Sequence, residues 1–139
     1  MTQATPENVL MKLSDTDLTL AHPGQDIRDR KVIDRHGDEI GHVSALFIDL
    51  REKKVRMLQV GAGGFLGRGE RHFLVPVEAV TRITQDEVQV DQTREQVVNS
   101  PRYDPALTMQ PHRDFWAPYY GYYGIAPFWG AGYPPPPLY

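Results

Sequence analysis

The amino-acid sequence predicts a small all-β domain over residues 26–101, built on a sheet that is closed or strongly curled. Three observations support this fold class. Short apolar stretches alternate with charged or glycine-containing turns throughout the region. The longest stretch carries apolar residues on both faces, which a curled sheet can bury. The flanking residues 1–25 and 102–139 lack this pattern and are predicted to form a leader segment and a C-terminal extension.

The first two strands are predicted to form a hairpin. Residues 31–34 have an apolar centre, and Gly37, which follows them, can supply the positive φ that a tight turn requires. The second strand is predicted at residues 40–50, where Phe47 lies on one face and Leu46 on the other. Both faces of this strand therefore need apolar cover near its end.

The next two strands differ in how they are delimited. The third is predicted at residues 55–61, where the apolar side chains change face between Met57 and Leu58; this slip indicates a bulge or burial on both sides. The fourth is predicted at residues 72–76, and Pro76 ends it because proline cannot donate a hydrogen bond to a neighbouring strand.

The domain is predicted to end with helical pieces around a last strand. Apolar residues recur at every third position over residues 77–83, which predicts a short helix or 3₁₀ segment. Residues 87–91 alternate as a strand. Thr93 and Gln96 have the spacing of a capping box, so they predict a short helix that stops before Pro101.

Four stretches of the domain resemble a known family. They are the hairpin region 31–43, the strand end 47–50, the glycine-rich region 60–67 and the junction 74–80, in the expected order. Together they resemble the PRC-barrel domain, the small barrel of the photosynthetic reaction-centre H subunit and of the ribosome-maturation factor RimM. The resemblance implies a PRC-type β-barrel of about five to six strands with one or two short helices. Within the hairpin region, Gly41 lies just past the turn and leaves room for two backbones to approach closely where the strand curls.

The resemblance also bears on function. In both relatives the barrel contacts other proteins and has no known catalytic residues, so it implies an interaction module, although a fold alone does not specify function. The H subunit has a transmembrane helix and RimM has an additional N-terminal barrel, and we expect neither within residues 1–25. The capped helix and the tail also resemble stand-alone PRC-barrel proteins of soil and stress-tolerant bacteria.

Composition narrows the possible function classes. The net charge is −3 with basic and acidic residues interleaved, so nucleic acid is not expected as a partner. The chain has no cysteine, which excludes disulfides and thiolate metal sites. Charged residues interrupt the first 20 positions, so no secretory signal is expected and the prediction is a cytoplasmic protein. Prolines break the uncharged stretch after Asp114, so no transmembrane segment is expected and membrane contact would be peripheral.

The glycine-rich loop over residues 61–69 is the first candidate partner contact. It lacks the Gly-Lys-Ser/Thr motif of a phosphate-binding loop and is not followed by a helix. A flexible hairpin is the simpler interpretation. The alternative is a contact with a partner through Phe65, Leu66 and Arg68, because apolar side chains on a glycine loop either fold back or face a partner.

Catalytic and metal sites are not expected. The histidines lack the spacing of helix-borne metal ligands. Asp34, Asp38 and Glu39 are predicted to form a solvated charged turn, since they lack the longer ligand alternation of a calcium loop. The serines lie outside any nucleophile-elbow motif. We therefore expect no enzyme activity, no catalytic residues, no metal and no cofactor.

The C-terminal extension has an unusual composition. Residues 115–139 hold ten of the 14 aromatic residues and carry no charge, whereas ordinary disordered segments are charged and poor in aromatics. We expect this extended Pro-rich tail to fold back over its own or a neighbour's barrel, to engage another macromolecule, or to remain a low-complexity extension. The candidate partner contacts in it are Phe115, Trp116, Tyr119, Tyr120, Tyr122, Tyr123, Phe128 and Trp129.

The sequence thus predicts a non-enzymatic adaptor or scaffold built on a PRC barrel, with a protein partner, its own copies, or both. Two alternatives stay open. One is a peripheral, H-subunit-like component of a photosynthetic or redox membrane complex. The other is a small-ligand-binding stress protein.

Overall fold

The computed structural model describes residues 10–13, 26–49, 54–63, 71–101, 103 and 113–127. Within these ranges the chain forms one seven-stranded sheet and two α-helices. The strands are β1 (Leu10–Lys12), β2 (Lys31–Ile33), β3 (Glu39–Asp49), β4 (Lys54–Ala62), β5 (Arg71–Pro76), β6 (Val80–Ile83) and β7 (Glu87–Val90). The helices are α1 (Arg94–Val98) and α2 (Arg113–Tyr123).

The sheet is a curled half-barrel, which confirms the predicted all-β class and the predicted curling. Its strand order is β5-β4-β3-β2-β7-β6, with β1 paired to β3. Neighbours are antiparallel except β2 and β7, which run parallel. Both β1 and β2 pair with the same edge of the long strand β3: β2 pairs with its beginning and β1 with its end. Strand β3 therefore organises the sheet.

The structure contains two strands that the sequence did not predict, β1 and β6. In the leader, residues 10–12 form β1, and Leu10 and Leu13 are buried. In the predicted helical segment 77–83, only Val77–Ala79 form a 3₁₀ turn, and β6 follows directly. A register shift after Val80 inserts an extra residue, so apolar residues three positions apart both face the core and imitate helical spacing.

The predicted bulge in the third strand is confirmed. Ser44 is the extra residue of β3 and Arg56 that of β4, at the two places where the register between these strands shifts. Because of the second bulge, Val55 and Leu58 belong to the interior core while Met57 belongs to a cluster on the outer side. The middle of β4 is consequently buried on both faces.

The interior of the half-barrel is filled mainly by aliphatic side chains, which come from strands β2 to β7. It also includes Ile27 from the loop before β2 and Val97 from α1. The largest side chains that are fully buried here are Ile27, Leu46, Ile48, Leu58, Val32, Val43 and Val60.

Two glycines have the roles that the sequence suggests. Gly37 adopts φ 89° in the turn between β2 and β3, a conformation that side chains disfavour. Gly41 has an ordinary φ, but a Cβ at this position would overlap the carbonyl oxygen of Gly61 on β4. The second glycine therefore allows two backbones to approach closely where β3 curls.

The prediction of a solvated turn at Asp34 is wrong, because this side chain is only 1% exposed. One carboxylate oxygen accepts hydrogen bonds from the backbone N–H of His36 at 2.8 Å and of Asp38 at 2.9 Å. The other accepts from the N–H of Arg94, the first residue of α1, at 3.0 Å. Burial by itself would raise the pKa of Asp34, but the backbone donors outweigh it and lower the pKa.

Helix α1 begins as predicted. The Thr93 hydroxyl accepts from the N–H of Gln96 at 3.1 Å, and the Gln96 side chain accepts from the N–H of Thr93 at 2.8 Å. This capping box and the Asp34 carboxylate together satisfy donors of the first turn that the helix itself leaves without partners.

The close approach at Gly41 leads to a prediction. Gly41→Ala should lower the free energy of unfolding by about 1–3 kcal/mol, because the added methyl group must displace backbone rather than a flexible side chain. Gly121→Ala is the matched control: its Cβ meets open space on α2, and alanine favours the helix by up to about 1 kcal/mol. Urea denaturation of both variants tests the difference in sign, and equal effects would contradict the packing described.

The Asp34 hydrogen bonds lead to a second prediction. Asp34→Asn should cost about 1.5–3 kcal/mol near neutral pH, because an amide cannot replace a carboxylate toward all three donors. The pKa of Asp34 is lower in the folded chain than the ordinary 3.8, so its stabilisation is complete above that value and is lost as the pH falls through the folded pKa. The difference between wild type and variant should therefore shrink on acidification. Urea denaturation from neutral to acidic pH measures it, with the exposed Asp86→Asn as control.

Candidate functional site

Helix α2 is the part of the C-terminal extension that defines the site. The sequence predicted an extended tail, whereas residues 113–123 are helical. Trp116, Tyr119, Tyr120 and Tyr123 have the i, i+3, i+4, i+7 spacing that puts them on one helical face. The helix tolerates Pro118 although this residue cannot donate an intrahelical hydrogen bond. The side chain of Pro118 is exposed, so it does not disturb the buried face.

The end of α2 is built by a glycine. Gly124 adopts φ 70°, its N–H donates to the carbonyl of Gly121 at 3.1 Å, and the N–H of Ile125 donates to the carbonyl of Tyr120 at 3.0 Å. This pair of bonds is the Schellman arrangement, which satisfies the last carbonyls of a helix. The side chain of Ile125 then packs against the chain's apolar clusters. The helix is thus stopped and turned back onto the domain.

The buried face of α2 covers the outer side of strands β3, β4 and β5. Phe47, Met57 and Leu74 project from these three strands, and in register Phe47 lies opposite Met57. Trp116 is fully buried, with its ring centroid 5.0 Å from that of Phe47 at an interplanar angle of 62°. We call the whole group the aromatic cluster; it comprises Leu10, Phe47, Met57, Leu74, Tyr103, Trp116, Tyr119 and Tyr120.

Tyr103 contributes to the same cluster from beyond the last strand of the sheet. It forms an isolated antiparallel bridge with His72 at the edge strand β5. Its ring meets that of Phe47 edge-on, with centroids 6.1 Å apart and planes at 86°. Such edge-to-face pairs are favourable beyond the area they bury. Phe47 is therefore contacted by aromatic rings from two separate segments of the extension.

A buried group of polar side chains lies beside the aromatic cluster. Arg56, the bulged residue of β4, has a guanidinium nitrogen 3.8 Å from a carboxylate oxygen of Asp49, and each side chain is only 4% exposed. Glu78, from the 3₁₀ turn, is close enough to Arg56 for their charges to interact. Burial raises the pKa of Glu78, and Arg56 opposes that rise.

Tyr120 joins the helix to this polar group. Burial raises the pKa of the Tyr120 hydroxyl, and the negative charge of Glu78 raises it further while Arg56 opposes the rise. Its ring lies in the aromatic cluster and its hydroxyl is buried, so one side chain meets both the apolar and the charged part of the surface. This arrangement orients α2 on the sheet.

The predicted contact residues divide into three sets. Trp116, Tyr119 and Tyr120 are buried against the chain's own sheet. Tyr123 is partly buried and packs on the interior core, and Tyr122 is 41% exposed with its hydroxyl donating to the Gln96 carbonyl at 2.6 Å. Outside the described residues or side chains lie Phe65, Leu66, Arg68, Phe115, Phe128 and Trp129.

The surface on which α2 packs was not predicted from the sequence. No sequence pattern marked Met57, Leu74, Tyr103, Asp49 or Arg56 as residues of the site. Asp49 and Arg56 carry opposite charges and lie within two predicted strands, among apolar residues. Because buried charges are rare unless they are paired, this pattern could have indicated a buried ion pair. The helical period in the tail was likewise present in the sequence but hidden by its glycines and prolines.

Comparison with known families identifies the barrel. The PRC-barrel domain model matches residues 21–97. This chain belongs to the PRC-barrel family. The family is generally non-catalytic. No curated protein matches the chain. The matched region ends within α1, so the PRC barrel supplies Phe47, Met57 and Leu74, while Tyr103 and the whole of α2 come from outside it.

Among the described residues of this PRC barrel, no group of three or more histidine, aspartate or glutamate side chains is placed so that it could hold a metal ion. In the same part of the chain, no helix has both the length and the apolar character needed to cross a membrane.

The packing of Trp116 leads to a third prediction. Trp116→Ala should lower the free energy of unfolding by about 3–5 kcal/mol, because it removes a fully buried side chain at the centre of the aromatic cluster. Tyr122→Phe is the control on the exposed face of the same helix and should cost about 1 kcal/mol or less. Urea denaturation followed by far-ultraviolet circular dichroism measures both. Equal stability of the two variants would contradict the docking of α2 on the sheet.

Proposed function

We propose that this chain is a non-enzymatic protein-interaction module, an adaptor or scaffold, whose copies associate with one another. One observation carries the proposal. The PRC barrel exposes an apolar face on β3, β4 and β5 unless something covers it, and the cover is a helix from outside the barrel. A surface that accepts one amphipathic aromatic helix has the chemistry to accept another helix of the same kind.

The connection to α2 allows the cover to come from a second copy. Nine residues, 104–112, separate Tyr103 from Arg113, the first residue of the helix. Fully extended, a segment of that length reaches about 30 Å, which is more than the width of a small domain. Helix exchange between identical chains buries the same aromatic cluster as the intramolecular arrangement does, so it requires no new contact surface. Self-association by exchange of α2 is therefore the mechanism that we propose.

The charged group favours recognition over non-specific adhesion. Arg56 and Asp49 are buried beside the apolar face, and a helix that failed to complement them would leave charges desolvated at a cost of several kcal/mol. Tyr120 brings a hydroxyl to this place. A partner helix should accordingly present aromatic side chains together with one polar group in the position of Tyr120.

The first test is the mass of the full chain in solution. Light scattering over a range of concentrations should give a mass of at least twice the 15.8 kDa of one chain. A monomer at every concentration would remove the self-association part of the proposal.

Crosslinking distinguishes exchange from another mode of association. The chain contains no cysteine, so single cysteines can be introduced at two exposed positions that face each other, Gln96→Cys and Tyr122→Cys. If α2 packs on a second copy, a short bifunctional maleimide should link the two single variants to each other when they are mixed. If α2 packs only on its own barrel, the double variant should crosslink within one chain and the mixture should remain unlinked. The Tyr122→Phe variant serves as a reagent control because it carries no thiol.

A further inference from the structure

The bulge at Ser44 is accompanied by a pocket on the edge of β3 at which β1 and β2 pair. On this edge β2 pairs with β3 as far as His42, and β1 begins to pair at Phe47. Among the described residues no strand lies beside the intervening part of that edge, which contains the bulged Ser44. The cavity there measures about 180 Å³ and is lined by Lys12, Arg28, Ser44, Ala45, Leu46 and Gln59. A cavity of about 150 Å³ accommodates a six-membered carbon ring, so this one has room for a small organic molecule.

The cationic side of the pocket is held in place by the turn before β2. Asp29 adopts φ 74° and its N–H donates to the carbonyl of Val43 at 2.7 Å, which fastens the turn to β3. The guanidinium of Arg28 donates through Nε at 2.8 Å and through Nη2 at 2.6 Å to the carboxylate of Asp26. These bonds lower the pKa of Asp26 and fix the orientation of Arg28.

Lys12 supplies the net charge of the pocket. Arg28 is neutralised by Asp26, whereas within the described residues no carboxylate lies within salt-bridge distance of the half-buried Lys12. Of the two cations that line the pocket, Lys12 is therefore the one left to pair with a monoanion.

The opposite wall is an amide with an unused hydrogen-bonding atom. Gln59 is only 4% exposed, and its Nε2 donates to the hydroxyl of Ser44 at 2.9 Å. That hydroxyl in turn donates to the backbone carbonyl of Gln59 at 3.2 Å. The remaining amide atom, Oε1, is buried and has no hydrogen-bond partner among the described residues. A buried polar atom without a hydrogen bond destabilises the folded protein unless a ligand or a water molecule donates one to it.

We propose that this pocket binds a small hydroxycarboxylate, with the carboxylate on Lys12 and Arg28 and the hydroxyl on the side-chain amide of Gln59. A hydroxyl group can donate to an amide oxygen or accept from an amide nitrogen, so it complements Gln59 in either orientation of the amide. The carbon skeleton that carries the two groups lies against Ala45 and Leu46. The site is independent of α2 and of the association proposed above, because none of its lining residues belongs to the aromatic cluster.

Lactate is a suitable probe, since it carries a carboxylate and a hydroxyl on adjacent carbons. Titration of the ¹⁵N-labelled full chain with lactate should shift the side-chain amide resonances of Gln59 saturably, with a Kd of about 1 mM or below for a ligand of this size. Propionate has the same charge and lacks the hydroxyl, so it should bind about tenfold more weakly to the same wild-type protein. Sodium chloride at equal ionic strength is the reference for non-specific screening.

Lys12→Met should weaken lactate binding about tenfold by removing the charge-assisted contact. Lys31→Met is the matched control, because Lys31 is exposed and lies near Glu39 at 3.9 Å, away from the pocket. The proposal is overturned if lactate produces no saturable shift at Gln59, if propionate binds as tightly as lactate, or if a folded Lys12→Met variant binds as tightly as Lys31→Met. The comparison of the two acids uses wild-type protein and so holds even if the Lys12 variant fails to fold.

Discussion

The central strands of this protein are buried on both faces, and the rest of the structure depends on satisfying that constraint. Strand β3 sends Leu46 and Ile48 into the half-barrel and Phe47 to the outside, and β4 does the same with Leu58 and Met57. A sheet with two apolar faces needs two covers. Curling the sheet supplies the inner cover, whereas the outer one comes from α2 and Tyr103, beyond the matched PRC region.

The two bulges between β3 and β4 explain where the buried ion pair and the pocket lie. Each inserts one residue and rotates its neighbours, so polar side chains fall among apolar ones. At Arg56 the result is a buried charge beside the aromatic cluster, paired with Asp49. At Ser44 it is a pocket closed by the amide of Gln59. One pair of strands thereby connects the face that α2 covers with a separate pocket.

Buried polar groups have different consequences in different parts of the fold. Asp34 accepts three backbone hydrogen bonds and ties the first hairpin to α1, which stabilises the domain without offering anything to a partner. Arg56 and Asp49 lie beneath a helix that comes from another part of the chain, so their cost of burial depends on what covers them. A buried charge therefore stabilises the contact between two elements at Asp34. At Arg56 and Asp49, buried charges limit which helix can cover the sheet.

The sequence by itself determined the all-β class, the strands β2 to β5 and β7, the turn at Gly37, the close approach at Gly41 and the capping box of α1. These features depend on periods and residue types that are local in the chain. Only the tertiary structure decided that β6 follows the 3₁₀ turn, that Asp34 is buried, and that Trp116, Tyr119 and Tyr120 cover Phe47, Met57 and Leu74. Those outcomes depend on contacts between segments far apart in sequence and, for β6, on a bulge after Val80 that makes the apolar spacing of a strand look helical.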